Sequence, residues 1–565
     1  MPIDCSESMY SNAYADFIIE YNNDEEELRN YFREDCISII NQTFAVVSSR
    51  RIRAGNDLRP RDEQIPYSLT PKCYGIMDST SMEASGIKQT IDSDVYGYTG
   101  LGSLICIIDT GIDYQSPVFI NEDGTSRIVA IWDQTIRNGT APEPFGYGSF
   151  YTNVQINEAL LSDNPLFLVP SEDTNGHGTF LASIAAGNEV EADDFQGAAP
   201  EAGIIVVKLK PAKAYLKWLY GIPEESIAFQ ENDIMAGVAF AINLAKDLDR
   251  PLSICIGLGT SSGSHEGLGA LSRMVSYVSG IPEVFVCTAL GNEGSERLHA
   301  EGTGAQQVIE FNVGESQNIL SMELWGRAPD IYAVGFETPD GTVIERIPPR
   351  FNNTERIDFA VGGTVLYVEY TLAEFMSGDE LIFIWLYRPT PGPWKLYVYA
   401  EGTPSPYFHI WMPIRSFVSR DTYFLNASSA TTLTDPSDGE NVTSVTAYDH
   451  LQGSISIQAS RGYTADDRVK PDLAAPGVEV FGMGLRGIYE RRSGTSVAAA
   501  HVAGAAAIIE QWGRENTERR FTGIQIKRYL INGARRMQNE QWPNATWGWG
   551  KLDLLQVFEM LRRSV

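Results

Sequence analysis

SLICIIDTG (103–111) is a short apolar run ending in Asp-Thr-Gly, the form of a fully buried strand that stops at a turn. GIIVVKLK (203–210), LSICIGLG (252–259) and EVFVCTALGN (283–292) repeat that form. Helical patterns separate them. In NDIMAGVAFAINLAKDL the residues Ile234, Met235, Val238, Ala241 and Ile242 fall on one face at helical spacing. Strands alternating with helices predict an α/β domain whose parallel sheet is covered on both faces. In such sheets the chemistry gathers at the C-terminal ends of the strands.

On either side the texture changes. ADFIIEY (15–21) reads as a strand, NNDEEELRNYFRE (22–34) as an acid-started helix and CISIINQTFAVVSS (36–49) as one or two further strands, together a small α+β unit. RIRAGNDLRPRDEQIP (51–66) then reads as a linker or exposed loop. Between about 297 and 430 the helical signal gives way to short aromatic and β-branched runs such as ILSMELW, TVLYVEYTL and WKLYVYAEG, punctuated by PDG (339–341) and PTPGP (389–393). That pattern predicts an all-β sandwich or jelly roll. It is inserted into the α/β domain, whose texture resumes at SVTAYD (444–449).

The chain has 565 residues with 43 Lys+Arg against 73 Asp+Glu, a formal charge of −30. Such an acidic excess repels phosphate backbones and anionic lipid, which argues against nucleic acid as a partner. No stretch has the 18–20 apolar residues or so of a membrane span. MPIDCSESMYSNAYADF carries neither a basic n-region nor an apolar h-region, so no classical signal peptide is expected. A cytoplasmic location is the expectation, with non-classical export left open. Of six cysteines, Cys106, Cys255 and Cys287 sit in apolar strand-like runs, so free core thiols in a reducing interior are expected rather than disulfides.

Three segments carry chemistry-bearing residues. Asp109 ends the strand in IIDTGID, where a charge needs a hydrogen-bonded partner. Alone it would be a strand-end cap. In DTNGHGTFLASIAAG (173–187), His177 lies between two glycines that leave its imidazole accessible at the start of an Ala-rich helix. In RRSGTSVAAAHVAGAAAII (491–509), Ser496 stands at the entry to an apolar helix, where alone it would be an N-cap. Together the three outweigh their plainer readings. A serine hydroxyl becomes a nucleophile when an imidazole takes its proton and a carboxylate orients that imidazole. Asp, His and Ser in that chain order are one of the known triad orders.

IIDTGID, NGHGTFLASIAAG and SGTSVAAAHVAG resemble the three active-site signatures of the subtilases, the subtilisin-like serine proteases of the S8 family, and TALGNEG (288–294) is similar to the family's oxyanion segment. The match spans about 74–295 and 435–565. The resemblance implies a subtilisin-like three-layer domain with Asp109 as orienting carboxylate, His177 as general base and acid, Ser496 as nucleophile and Asn292 as oxyanion donor. LGTSSG (258–263) resembles the strand that pairs with extended substrate, so Leu258 and Gly259 would line the cleft. Where the family usually has Pro before the second His of the serine motif, this chain has Ala500 before His501, which implies slight misplacement at most. His501 reads as structural.

The N-terminal unit is similar to a subtilase propeptide, which implies packing on the catalytic domain, a C-terminus threaded through the active site and self-cleavage between about 66 and 82. An uncleaved N-terminal domain is the alternative. The expected organisation is a propeptide-like domain over 1–78, a catalytic domain over 79–296 and 433–565, and the inserted β-sandwich over 297–432. Propeptide, insert, core thiols and no signal peptide together resemble the clostridial Csp germination proteases and related Firmicutes subtilases, which implies activation of a spore cortex pro-hydrolase. The rival is a catalytically silent subtilase-fold sensor whose propeptide fills the cleft.

A peptide or protein substrate and the chain's own propeptide are the expected partners, with no cofactor required. TDPSDGEN (434–441) is a candidate structural calcium stretch without the regular loop, and reads better as solvated turns. His265, His299, His409 and His450 have no metal-ligand spacing and read as surface or core residues. Trp325, Trp385, Trp394 and Trp411 read as core of the insert, ahead of a carbohydrate platform.

Overall fold

The computed structural model describes residues 5, 8–21, 25–33, 35–50, 67–76, 81–351, 353–359, 362–402, 406–517, 519–538 and 540–564. The expected linker over 51–66 lies outside the described residues.

Leu104–Asp109, the strand read first, is buried along its whole length. It lies inside an eight-stranded sheet, with Leu252–Ile256 on one side and Gly203–Lys208 on the other, both parallel to it. Beyond Leu252–Ile256 come Val284–Ala289, Thr443–Tyr448 and Leu473–Pro476, all parallel. Beyond Gly203–Lys208 come Ile128–Asp133 and an antiparallel edge strand, Ser149–Thr152. One face is covered by the helices His177–Ala186 and Thr495–Asn516, the other by Glu231–Asp247 and Ala270–Val278. The continuous hydrophobic strands follow from burial on both faces.

The helix Thr495–Asn516 runs through the core, buried from Thr495 to Gly513. Its small residues permit close helix packing. A Cβ on Gly504 would stand 2.3 Å from the Ala198 Cβ and 2.7 Å from the Ala185 oxygen. That closeness carries the start of the serine helix to the start of the histidine helix.

The N-terminal unit is a three-stranded antiparallel sheet, Tyr14–Glu20, Phe44–Arg50 and Cys36–Ile39, with the helix Glu25–Tyr31. Ile18, Ile40, Phe44 and Val46 share a core cluster with Phe229, Met235 and Phe240 of the α/β domain. At the junction Asp16 is fully buried and pairs with Lys213 at 2.7 Å. Asp16 also accepts from Ser48 Oγ and Gln230 Nε2. A buried pair saturated in this way ties the two bodies together.

The insert is two antiparallel sheets of six and five strands over His299–Phe424. Leu320, Leu324, Phe336, Trp394 and Phe408 are among the side chains packed between them. Its outer face is buried against the segment 214–222 through Trp385 on Trp218 and the Ser321 hydroxyl donating to the Tyr220 carbonyl. Trp325, Trp385, Trp394 and Trp411 are all buried, which closes the carbohydrate reading for them.

One cysteine expectation is corrected. Cys73, Cys106, Cys255 and Cys287 are free and buried, but Cys5 and Cys36 form a disulfide. Their Cα atoms are 5.6 Å apart, within the ordinary range for a disulfide, so Cys5 lies beside the strand Cys36–Ile39. Among the described residues no helix is long and apolar enough to cross a membrane.

Candidate active site

Three elements end at one point. Asp109 closes the central strand, His177 opens its helix, and Ser496 is the second residue of the long core helix. His177 Nδ1 lies 2.7 Å from Asp109 Oδ1, and its Nε2 lies 3.1 Å from Ser496 Oγ. Asp109 Oδ1 also accepts the Thr110 N–H at 2.7 Å. With Nδ1–H donated to the carboxylate, Nε2 is left to accept the serine proton, the arrangement that activates a hydroxyl. All three side chains are buried.

Glycines make the approach possible. A Cβ on Gly178 would meet the Gly111 oxygen at 2.2 Å. One on Gly257 would stand 2.6 Å from Leu181 Cδ1, 3.1 Å from the Ser496 Cβ and 3.3 Å from His177 Cε1. Gly257, one residue before the cleft strand, was not singled out from the sequence, where it is one glycine among many. Asp173, quoted within the histidine motif but assigned no part, accepts from the N–H groups of Asn175, Gly176 and Thr179 and from the Thr179 hydroxyl. It thereby fixes the turn that presents His177.

Asn292 follows the strand Val284–Ala289 and its Oδ1 accepts the Thr495 N–H at 3.1 Å. That bond fixes the amide with its NH2 as the remaining donor, next to the serine-helix N-terminus. Its neighbour Glu293 is buried, and its Oε2 accepts the N–H of Arg415 from the insert. Burial, with Glu296 nearby, raises its carboxyl to about 7 against the pull of Arg415.

Leu258 and Gly259 do pair with an extended segment, and it belongs to this chain. Cys73–Ile76 lies between two strands, with Ile76 opposite Leu258 and Gly75 opposite Gly259 on one side. Cys73 opposite Gln230 and Tyr74 opposite Phe229 form the other. One residue upstream, the Lys72 N–H donates to Glu231 Oε2 and its carbonyl accepts the Glu231 N–H. The cleft is occupied by β-augmentation.

Ala500 leaves the serine helix unbroken from Thr495 to Asn516, and the Ser496–His177 distance is ordinary. His501 is a buried helix residue whose Nδ1 donates to the Val497 carbonyl and whose Nε2 accepts the Ser81 N–H. Burial lowers it to about 3, so it stays neutral. His265, His299 and His409 stack around Trp411 in the interior. The solvated-turn expectation for 434–441 is corrected at Asp435 and Asp438. Both are buried, with the Ser272 hydroxyl between them at 3.0 Å from Asp435 and 2.6 Å from Asp438, and the Gly267 N–H donating to Asp438.

The Subtilase family pattern (Peptidase_S8) matches residues 100–321 and 394–550, and the chain belongs to that family. Among solved structures, the CspB protease of Clostridium perfringens superposes with a TM-score of 0.76 at 28% identity, over 85% of this chain and 97% of that one. The membrane-bound transcription factor site-1 protease of Mus musculus is 34% identical over 136 residues, 23% of this chain and 12% of the relative. Serine protease AprX of Bacillus subtilis (strain 168) is 26% identical over 275 residues, 46% of this chain and 50% of that protein. This chain thus spans only a minor part of the first relative and half of the second.

Proposed function

We propose that the protein is a serine endopeptidase that cuts its own N-terminal unit free and then other polypeptides. The carrying observation is the His177 imidazole bridging Asp109 and Ser496 at 2.7 and 3.1 Å. Ser496 attacks the scissile carbonyl while His177 takes its proton and then passes it to the leaving amine. Asp109 holds the tautomer, and the Asn292 amide with the Ser496 N–H receives the oxyanion. Water activated by His177 hydrolyses the acyl-enzyme. The mechanism calls on no cofactor, and among the described residues no group of three His, Cys, Asp or Glu is placed to hold a metal ion.

The cleft register supports self-cleavage. A peptide with one residue opposite Leu258 brings its next residue beside Gly257, and so its carbonyl to Ser496. With Ile76 opposite Leu258 the count reaches the Met77–Asp78 bond, whose residues lie outside the described ones. The likeness to the CspB protease supports the finer reading, activation of a spore cortex pro-hydrolase. The occupied cleft favours one rival, a silent fold that keeps its propeptide as a plug. Labelling with a fluorophosphonate serine probe decides between them: the protease labels at Ser496, and absence of label after removal of the N-terminal unit overturns the reading.

A further inference from the structure

The far end of the cleft is acidic, buried and occupied by a lysine. Lys72 is 5% exposed, and its Nζ lies 3.7 Å from Asp435 Oδ2. Glu231 brackets its backbone with both the side-chain carboxylate and the main-chain N–H. Burial works to lower the Lys72 amine, yet Asp435, Glu231, Asp438 and Glu323 together hold it above its ordinary value. All four carboxylates are buried.

The room around the ammonium is part of the design. A Cβ on Gly269 would stand 2.6 Å from Lys72 Nζ and 2.3 Å from Asp435 Oδ2. Gly269 has φ −56° and ψ 154°, a conformation open to any residue, so space rather than backbone freedom explains the glycine. A Cβ on Gly263 would come 3.2 Å from the same nitrogen. A residual cavity of about 30 Å³ adjoins Lys72, lined also by Trp325 and Glu374 of the insert.

Lys72 stands on the N-terminal side of the cut proposed above, while all four carboxylates stand on the C-terminal side. Departure of the N-terminal unit therefore withdraws the Lys72 cation from a buried acidic pocket, a loss that a second cation in the same place offsets. We infer that this pocket is an extended substrate subsite that selects a lysine or arginine four residues ahead of the residue seated opposite Leu258. It acts on the chain's own segment first and on its protein substrates afterwards. The insert, through Glu323 and Trp325, is then a wall of the substrate cleft.

This inference rests on the protease reading, so the test separates the two. Full-length wild type, Lys72→Arg, Lys72→Gln and Lys72→Glu are followed for self-cleavage by intact mass, with thermal midpoints and fluorophosphonate labelling recorded for each. Lys72→Arg should cleave within about threefold of wild type, Lys72→Gln should slow about tenfold, and Lys72→Glu should slow further. In trans, two peptides differing only by Lys or Gln at that position should differ about tenfold in kcat/KM. Asp435→Asn should bring that ratio towards one. Equal rates for Lys72→Gln and wild type, or a peptide ratio near one, in protein that labels at Ser496 overturn the subsite and leave the protease standing. Wild type that neither labels nor cleaves overturns both.

Discussion

The two ends of the cleft are built in opposite ways. At the catalytic end, Asp109, His177 and Ser496 each sit at the terminus of one regular element, inside a contiguous motif. The parallel sheet delivers them to one edge. At the far end, Glu231, Glu323, Asp435 and Asp438 come from a helix start, the insert and one loop, and converge on Lys72 of the N-terminal unit. In the first, each side chain is placed by one regular element of the α/β domain alone. The second exists only when three parts of the molecule are assembled.

The largest expected effect is at the catalytic end. His177→Ala should lower turnover on the order of 10⁶-fold, because triad members act as one unit. Steady-state kinetics on the processed enzyme reads it, and a loss under a hundredfold would remove His177 from the chemistry. Asn292→Ala should cost about 10²–10³ in kcat with KM little changed, the size of one lost oxyanion donor. An equal rise in KM instead would make Asn292 a substrate contact. Gly257→Val should fall between these and wild type, since its side chain would press on Leu181, Ser496 and His177; wild-type kcat would show that the pair has slack.

The assembled side is tested more gently. Asp16→Ala strands the buried Lys213 ammonium at the junction. Docking of the N-terminal unit should weaken by about 3–5 kcal/mol, seen as loss of the cleaved unit on size-exclusion chromatography. Retention equal to wild type would show that apolar packing alone holds it. The smallest effect is at Glu293. Its carboxyl is raised from 4.5 to about 7 in the folded protein, so the fold binds the proton more tightly than the unfolded chain. That contribution is fully present below pH 4.5 and is lost as pH rises to 7. Glu293→Gln should make the fall in Tm between pH 5 and 8 shallower by about 2–4 °C, and an unchanged slope would place the titration elsewhere.

How much was readable from the chain follows the same division. Buried strands and the helix faces were legible because their periodicity reports burial directly. Asp109, His177 and Ser496 were legible because glycine and small residues surround each, a local consequence of the close approach at the site. Leu258 and Gly259 were readable as a pairing strand only through the likeness of LGTSSG (258–263) to the family's segment. Glu231 was not, since an acidic residue at a helix start has an ordinary explanation in the helix dipole. Asp435 and Asp438 were misread as solvated turns, because burial of a loop depends on what covers it. Nor did Cys5 and Cys36 signal their pairing, because the two stand 31 residues apart with no spacing motif to join them.

The most direct measurement is the N-terminus of the full-length protein, expressed as wild type and as Ser496→Ala, read by intact mass and N-terminal sequencing. Wild type should yield a chain beginning at Asp78, and Ser496→Ala should remain uncut. The same new N-terminus in both proteins, or an uncut wild type, would contradict a triad that cleaves its own segment.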